Sequence, residues 1–237
     1  SVRARLNLND SLPIQSVVRL MESCAVRVLE LRTPLQADGF AARHEDDPIL
    51  ILNPNTSNER LRMNVALELA YALYEPERQQ LGWSDTVLEK KAYEFACELL
   101  LPQSQLELAF QGKSFLRLIE FKERFGISLA AMIHRSEQTG IVKTTTARWL
   151  WSEMLHRGWR ANEPGFVWRD RAIRFEMLME SALHTGALTW TKAEEITGIR
   201  EEELQKRIAD LYSGIPSKAE STDDRKLKLL RFPGEEQ

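Results

Sequence analysis

The chain has 237 residues, 43% hydrophobic and 28% charged, long enough to bury a sizeable core as one large domain or two small ones. A net charge of −3 gives no general reason to bind nucleic acid or an anionic membrane, so any DNA contact would need a local patch. No run approaches the roughly 18 apolar residues of a membrane helix and no basic-then-apolar leader opens the chain, which predicts a cytoplasmic protein with no membrane partner. The chain opens on Ser1 rather than Met and is read as a fragment or processed form with something missing upstream. Cys24 and Cys97 lie far apart in apolar segments and are expected to be reduced thiols packed as small hydrophobes.

In chain order, "DSLPIQSVVRLMESCAV" offers Ser11 as a cap, Pro13 in a first turn, and Ile14, Val17, Val18 and Met21 at helical spacing, which predicts one short helix. From Val26 the period becomes two in "VRVLELR", "GFAARH" and "PILILN", the pattern of a small three-stranded antiparallel sheet. Beyond "NPNTSNER" the chain is helical, with helices expected near Asn58 to Tyr74 and Ser84 to Leu101, and more as far as Tyr212. From Ser217 both charge signs mix with few core-forming residues, as in a flexible tail.

The stretch "RLRMNVALELAYALYEPE", Arg60 to Glu77, carries most information. In a zinc peptidase of the H-E-x-x-H type, two histidines at i and i+4 share a helical face and reach one metal, and the glutamate between them takes a proton from the bound water. Here Leu67, Glu68 and Tyr71 occupy those places, and "EKKAYEFACELLLP" follows with Glu89 at its head. Taken alone, Asn64, Glu68, Tyr71 and Glu75 are also one polar stripe of an ordinary amphipathic helix, opposite Val65, Ala66, Leu69, Ala72 and Leu73.

With "ILILN" ending at Asn53, "RMNVALELAY" and "EKKAYEFACELLLP" in this order, the sequence resembles the ImmA/IrrE family of zinc metallopeptidases, over roughly Pro13 to Tyr212. It is similar to the longer members that carry a Cro-type helix-turn-helix domain at their N-terminus. The resemblance implies an α+β fold, a small sheet on a zincin-like helical core followed by an all-helical half. It places Leu67 and Tyr71 at the two histidine ligand positions, Glu68 at a residual, inactive general-base position, and leaves Glu89 alone of the metal set. Leucine has no lone pair and a neutral phenol is a poor zinc ligand at pH 7, so the ligand set is degenerate and no cofactor is expected. Of the four histidines, His44, His134, His156 and His184, only His44 precedes the helix closely enough to approach such a site. Asn53 and Arg62 are candidate partner-binding residues.

In the helical half, "LIEFKERFGISLAAMIHRSEQTG" has helix-turn-helix spacing with its turn at Gly126, and "WTKAEEITGIREEELQKRIADLY" repeats it at Gly198. Glu201, Glu202 and Glu203 would repel phosphates in the second, and the first offers thin readout through Ser128, His134 and Arg135. Trp149, Trp151, Trp159 and Trp168 are expected in a core. The expected division is a metallopeptidase-like domain over 1–105, a helical domain over 106–216 with the helix-turn-helix-like segment 115–140, and a tail from 217 to 237.

The resulting expectation is a regulatory protein that is not an enzyme. It would bind a repressor- or antitoxin-like helix-turn-helix partner, or its own missing N-terminal DNA-binding domain, without direct DNA contact. Two alternatives compete with it: an active metallo-endopeptidase using zinc held by Glu68, Glu89, His44 and water to cleave such a repressor, and a DNA-binding regulator acting through 115–140.

Overall fold

A computed structural model describes residues 2–31, 38–44, 47–112 and 114–212, with only the backbone of Arg43, His44 and Asp47; the tail expected from residue 217 lies outside these residues. The chain divides into two compact units, residues 1–172 and 173–237. The boundary expected near residue 105 falls within the first unit, where Leu61, Leu99, Leu106, Phe125 and Leu150 belong to one buried cluster.

The first unit contains α1 (Val2–Arg5), α2 (Val17–Ser23), β1 (Arg27–Glu30), β2 (Gly39–His44) and β3 (Asp47–Leu52). It continues with α3 (Asn58–Leu81), α4 (Asp85–Leu100), α5 (Gln103–Phe110), α6 (Phe115–Phe125), α7 (Leu129–Gln138) and α8 (Thr144–His156). This is the α+β arrangement expected, with a helical C-terminal half. The sheet is a correction. Its order is β1-β3-β2, with β2 antiparallel to β3 but β1 parallel to it, Val28 opposite Leu50. A period of two identifies a strand and says nothing of its neighbour's direction. The most apolar strand, "PILIL", takes the centre, where both its edges are hydrogen-bonded and Leu50 and Leu52 are buried.

Serines set the helix starts. Ser57, Ser84 and Ser128 each accept a hydrogen bond from the backbone N–H three residues on, fixing the first turns of α3, α4 and α7. The cap of α2 is Ser16 and not Ser11, and Pro13 lies before the helix, because the carbonyls of Ile14 and Gln15 accept from the Arg62 guanidinium instead of entering helical bonds. Helix α3 runs through Pro76, past the end expected at Tyr74, and stops at Gly82 with φ 65°. Proline in a helix interior costs about 3 kcal/mol, and here packing against α4 holds the last turns. Tyr74 meets Trp83 and Phe95 edge-on at 6.2 and 5.8 Å, and Lys91 lies 4.5 Å over Trp83.

Cys97 is buried and burial pushes its thiol up to about 11, whereas Cys24, expected to pack as well, is exposed at the end of α2. The tryptophan expectation is likewise corrected: Trp168 is 80% exposed, Trp149 is 51% exposed, and Trp151 and Trp159 pack only partly buried against the core. None of the four has a fully apolar environment, because each stands at a helix flank or in the irregular chain after α8.

The second unit contains α9 (Arg174–His184), α10 (Trp190–Thr197) and α11 (Glu201–Tyr212) around Met179, Ala193 and Leu204. No helix among the described residues is long and apolar enough to cross a membrane.

Candidate functional site

Helix α3 carries two sites one after the other. At its start, Arg62 is 4% exposed and sits under Gly126. Its terminal nitrogens donate to Asp170 Oδ2 at 3.2 Å and to the carbonyls of Gln15, Ile14 and Phe125 at 3.2, 2.6 and 3.4 Å. Asp170, 5% exposed, also accepts from Ser16 Oγ at 2.7 Å and from the Val17 N–H at 2.6 Å, so it caps α2 from 153 residues away. Burial lowers the Arg62 pKa and Asp170 opposes that shift. With its guanidinium committed to the interior, Arg62 ties α2, α3 and α6 together and offers nothing at the surface.

Asn53, the other candidate for partner contact, shapes the loop before α3. Its Oδ1 accepts from the Asn55 N–H at 3.0 Å and its carbonyl from the Thr56 hydroxyl at 3.1 Å, an Asx-turn that delivers Ser57 to its capping position.

Two turns further along α3, Leu67 and Tyr71 line a cavity of about 420 Å3 together with Glu89 and Tyr93 of α4 and His134 and Gln138 of α7. The structure thus brings together three of the four positions that the resemblance assigns to zinc chemistry. Glu68, the fourth, is half-buried outside this wall, and burial raises its carboxyl above the ordinary range. Burial first, then the charges of Glu89 and Glu68, raise the Tyr71 phenol above its usual value, so it stays neutral at any physiological pH. Burial, with the neighbouring Cys97 thiol second, holds the Tyr93 hydroxyl protonated as well.

A zinc ion asks for four donors, three of them from protein even in a catalytic site. The cavity offers an exposed carboxylate, an imidazole bonded to Gln138 at 3.0 Å, two neutral phenols and a leucine. Among the described residues no group of three or more His, Cys, Asp or Glu side chains is placed to hold a metal. This donor set does not fit zinc. The side chain of His44, at the end of β2, lies outside the described residues.

Among the described side chains, the histidine that lines this cavity is His134, which the sequence places far along the helical half. It packs edge-on against Tyr93 at 5.4 Å. Its sequence signal was slight: α7 has to fold back on α4 for the two to meet, and nothing local announces that contact. For the helix-turn-helix reading of 115–140, the basic groups before the turn are occupied. Lys122 is buried between Glu59 and Glu163 at 2.7 and 3.1 Å, and Arg124 donates to the Ser11 carbonyl at 2.9 Å.

Residues 21–137 match the family model of the M78 peptidases, described as the IrrE N-terminal-like domain. No curated protein gives a match to the chain. The matched span begins in α2 and ends in α7, and so contains the sheet, the α3–α4 pair and all of the cavity wall around Leu67, Tyr71 and Glu89 except Gln138; through this domain the chain belongs to the ImmA/IrrE family.

Proposed function

We propose that the chain is a non-catalytic member of this family, a regulatory module that uses the old substrate face as a binding or sensing surface. The observation that carries the reading is the pair Leu67 and Tyr71. At the places where the resemblance puts imidazoles, an alkyl group and a neutral phenol face an open cavity beside Glu89. Without an activated water, Glu68 has nothing to deprotonate. The partner proposed is a repressor- or antitoxin-like helix-turn-helix protein, or an N-terminal DNA-binding domain of the same polypeptide. Direct DNA contact is disfavoured by the burial of Lys122 and the tether on Arg124.

The juxtaposition of Glu89 and His134 on one cavity favours a second reading, an endopeptidase with an unconventional metal set. Two measurements separate them. On the first reading, Glu68→Gln leaves repression control in the native host intact and protein purified without chelator contains far less than one zinc per chain. Loss of function in Glu68→Gln, together with stoichiometric metal and a chelator-sensitive melting temperature, would establish the second.

A further inference from the structure

A second cavity, of about 730 Å3, lies beside the first turn of α3, walled by α7, by Trp151 of α8 and by the loop at 160–163. Most charge on its wall is already committed within the protein. Asp38 pairs with Arg60 at 2.5 Å. Glu59 and Glu163 both pair with Lys122, and Glu163 also accepts from the N–H groups of Leu129 and Ala130 at 2.8 and 3.0 Å, closing off the start of α7. Ser57 and Ser128 cap their own helices.

Three polar side chains on the wall are left over among the described residues, Arg160, Asn162 and Asn55. Arg160 has no carboxylate within ion-pair distance among the described residues, and its guanidinium lies 6.0 Å over the ring of Trp151. Asn162, two residues on, makes no side-chain hydrogen bond to a described residue. At that distance, the outer edge of a cation–π contact, the indole biases the guanidinium weakly and leaves its edge free for a two-pronged bond to a carboxylate. Trp151 and Met63 supply apolar surface on the same wall.

We infer that this cavity receives a peptide segment in which a carboxylate side chain stands next to an apolar one, the carboxylate on Arg160 and Asn162, the apolar group against Trp151 and Met63. The inference rests on the reading of the chain as a partner-binding module and names the part of the partner that it recognises. The cavity shares Tyr93 and His134 with the one around Leu67, so a single extended segment can cross both. Glu89 and Lys90 both line the cavity around Leu67, so that cavity sets no sign of its own and the demand for a carboxylate falls on Arg160.

The test uses the full chain and three short probes, acetyl-Glu-Leu-amide, acetyl-Gln-Leu-amide and acetyl-Lys-Leu-amide, followed by NMR at the Trp151 indole N–H, assigned with Trp151→Phe. The glutamyl probe is expected to shift that signal saturably and to bind about tenfold more tightly than the glutaminyl one, as befits one charge-assisted pair, with the difference shrinking at high salt. Arg160→Gln, at an exposed position with no ion pair to a described residue, should abolish the discrimination without moving the melting temperature. Equal binding of the glutamyl and glutaminyl probes, discrimination that survives Arg160→Gln, or no shift with any probe overturns the inference. Capture of a repressor partner that is indifferent to Arg160→Gln also overturns it, yet leaves the partner reading standing. Intact glutamyl discrimination in a chain that engages no repressor sinks the partner reading and supports the site.

Discussion

The corners at Gly126 and Gly198 read alike in sequence, F-G-I-S and T-G-I-R, and turn alike, with φ of 67° and 64°. Their surroundings have nothing in common. A Cβ at Gly126 would lie 2.3 Å from Arg62 Nε, while one at Gly198 would meet no heavy atom within 4 Å. The first corner presses on a buried arginine and a core that runs through α3; the second leans on a small cluster around Met179, Ala193 and Leu204. Local sequence sets the shape of such a turn, but what packs behind it decides how much depends on that shape.

The strongest way to break the first corner is through the partner that neutralises its arginine. Asp170→Ala leaves Arg62 buried without a counter-charge and the Val17 N–H without its acceptor, with Ser16 still capping α2, and should cost about 3–5 kcal/mol, read as a lowered denaturant midpoint at unchanged slope. Gly126→Ala adds a left-handed alanine and a collision with Arg62, together about 2–5 kcal/mol. Gly198→Ala pays the backbone term alone, about 1 kcal/mol after the entropy gained in the unfolded chain. Similar losses at the two glycines would undo the contrast between the corners.

Glu68 sharpens the comparison from the opposite side. Unlike Arg62 it has no ion pair to a described residue, and burial alone raises its carboxyl. A carboxyl raised on folding contributes fully below the ordinary carboxylate range, where folded and unfolded states are both protonated, and that contribution is lost as pH rises through the raised value. Glu68→Gln should therefore raise the melting temperature at pH 7, by no more than about 2–4 °C, and the gain should fade as pH falls through the raised value and be gone below the ordinary carboxylate range. A gain that persists in acid would mean that the carboxyl is not strained by burial.

Much of the fold could be read from residues that act locally. Gly126 and Gly198 as corners and the alternation in "PILIL" report on their own few neighbours and stand where expected, whereas the cap expected at Ser11 falls at Ser16 and α3 runs past Tyr74 to Leu81. What escaped the sequence depends on long separations. The parallel pairing of β1 with β3, the meeting of His134 with Tyr93, and the burial of Arg62 are contacts across the chain, and an arginine in a first helical turn looks the same whether it faces water or Asp170. The positions of Leu67, Tyr71 and Glu89 were legible because a family pattern spans them; Arg160 and Trp151 lie beyond the matched residues and carried no such label.

The bridge made by Asp170 also bears on how the protein is made. Residues 16–18 and 170 touch, so the first unit closes by joining its two ends, and a ribosome has delivered α3 and its arginine more than a hundred residues before the carboxylate that neutralises it. Until residue 170 clears the exit tunnel, Arg62 must stay hydrated and the α2–α3–α6 junction open. Folding of this unit is therefore expected to complete late and in one step near the end of its translation, with the chain up to α8 held as a loosened intermediate until then.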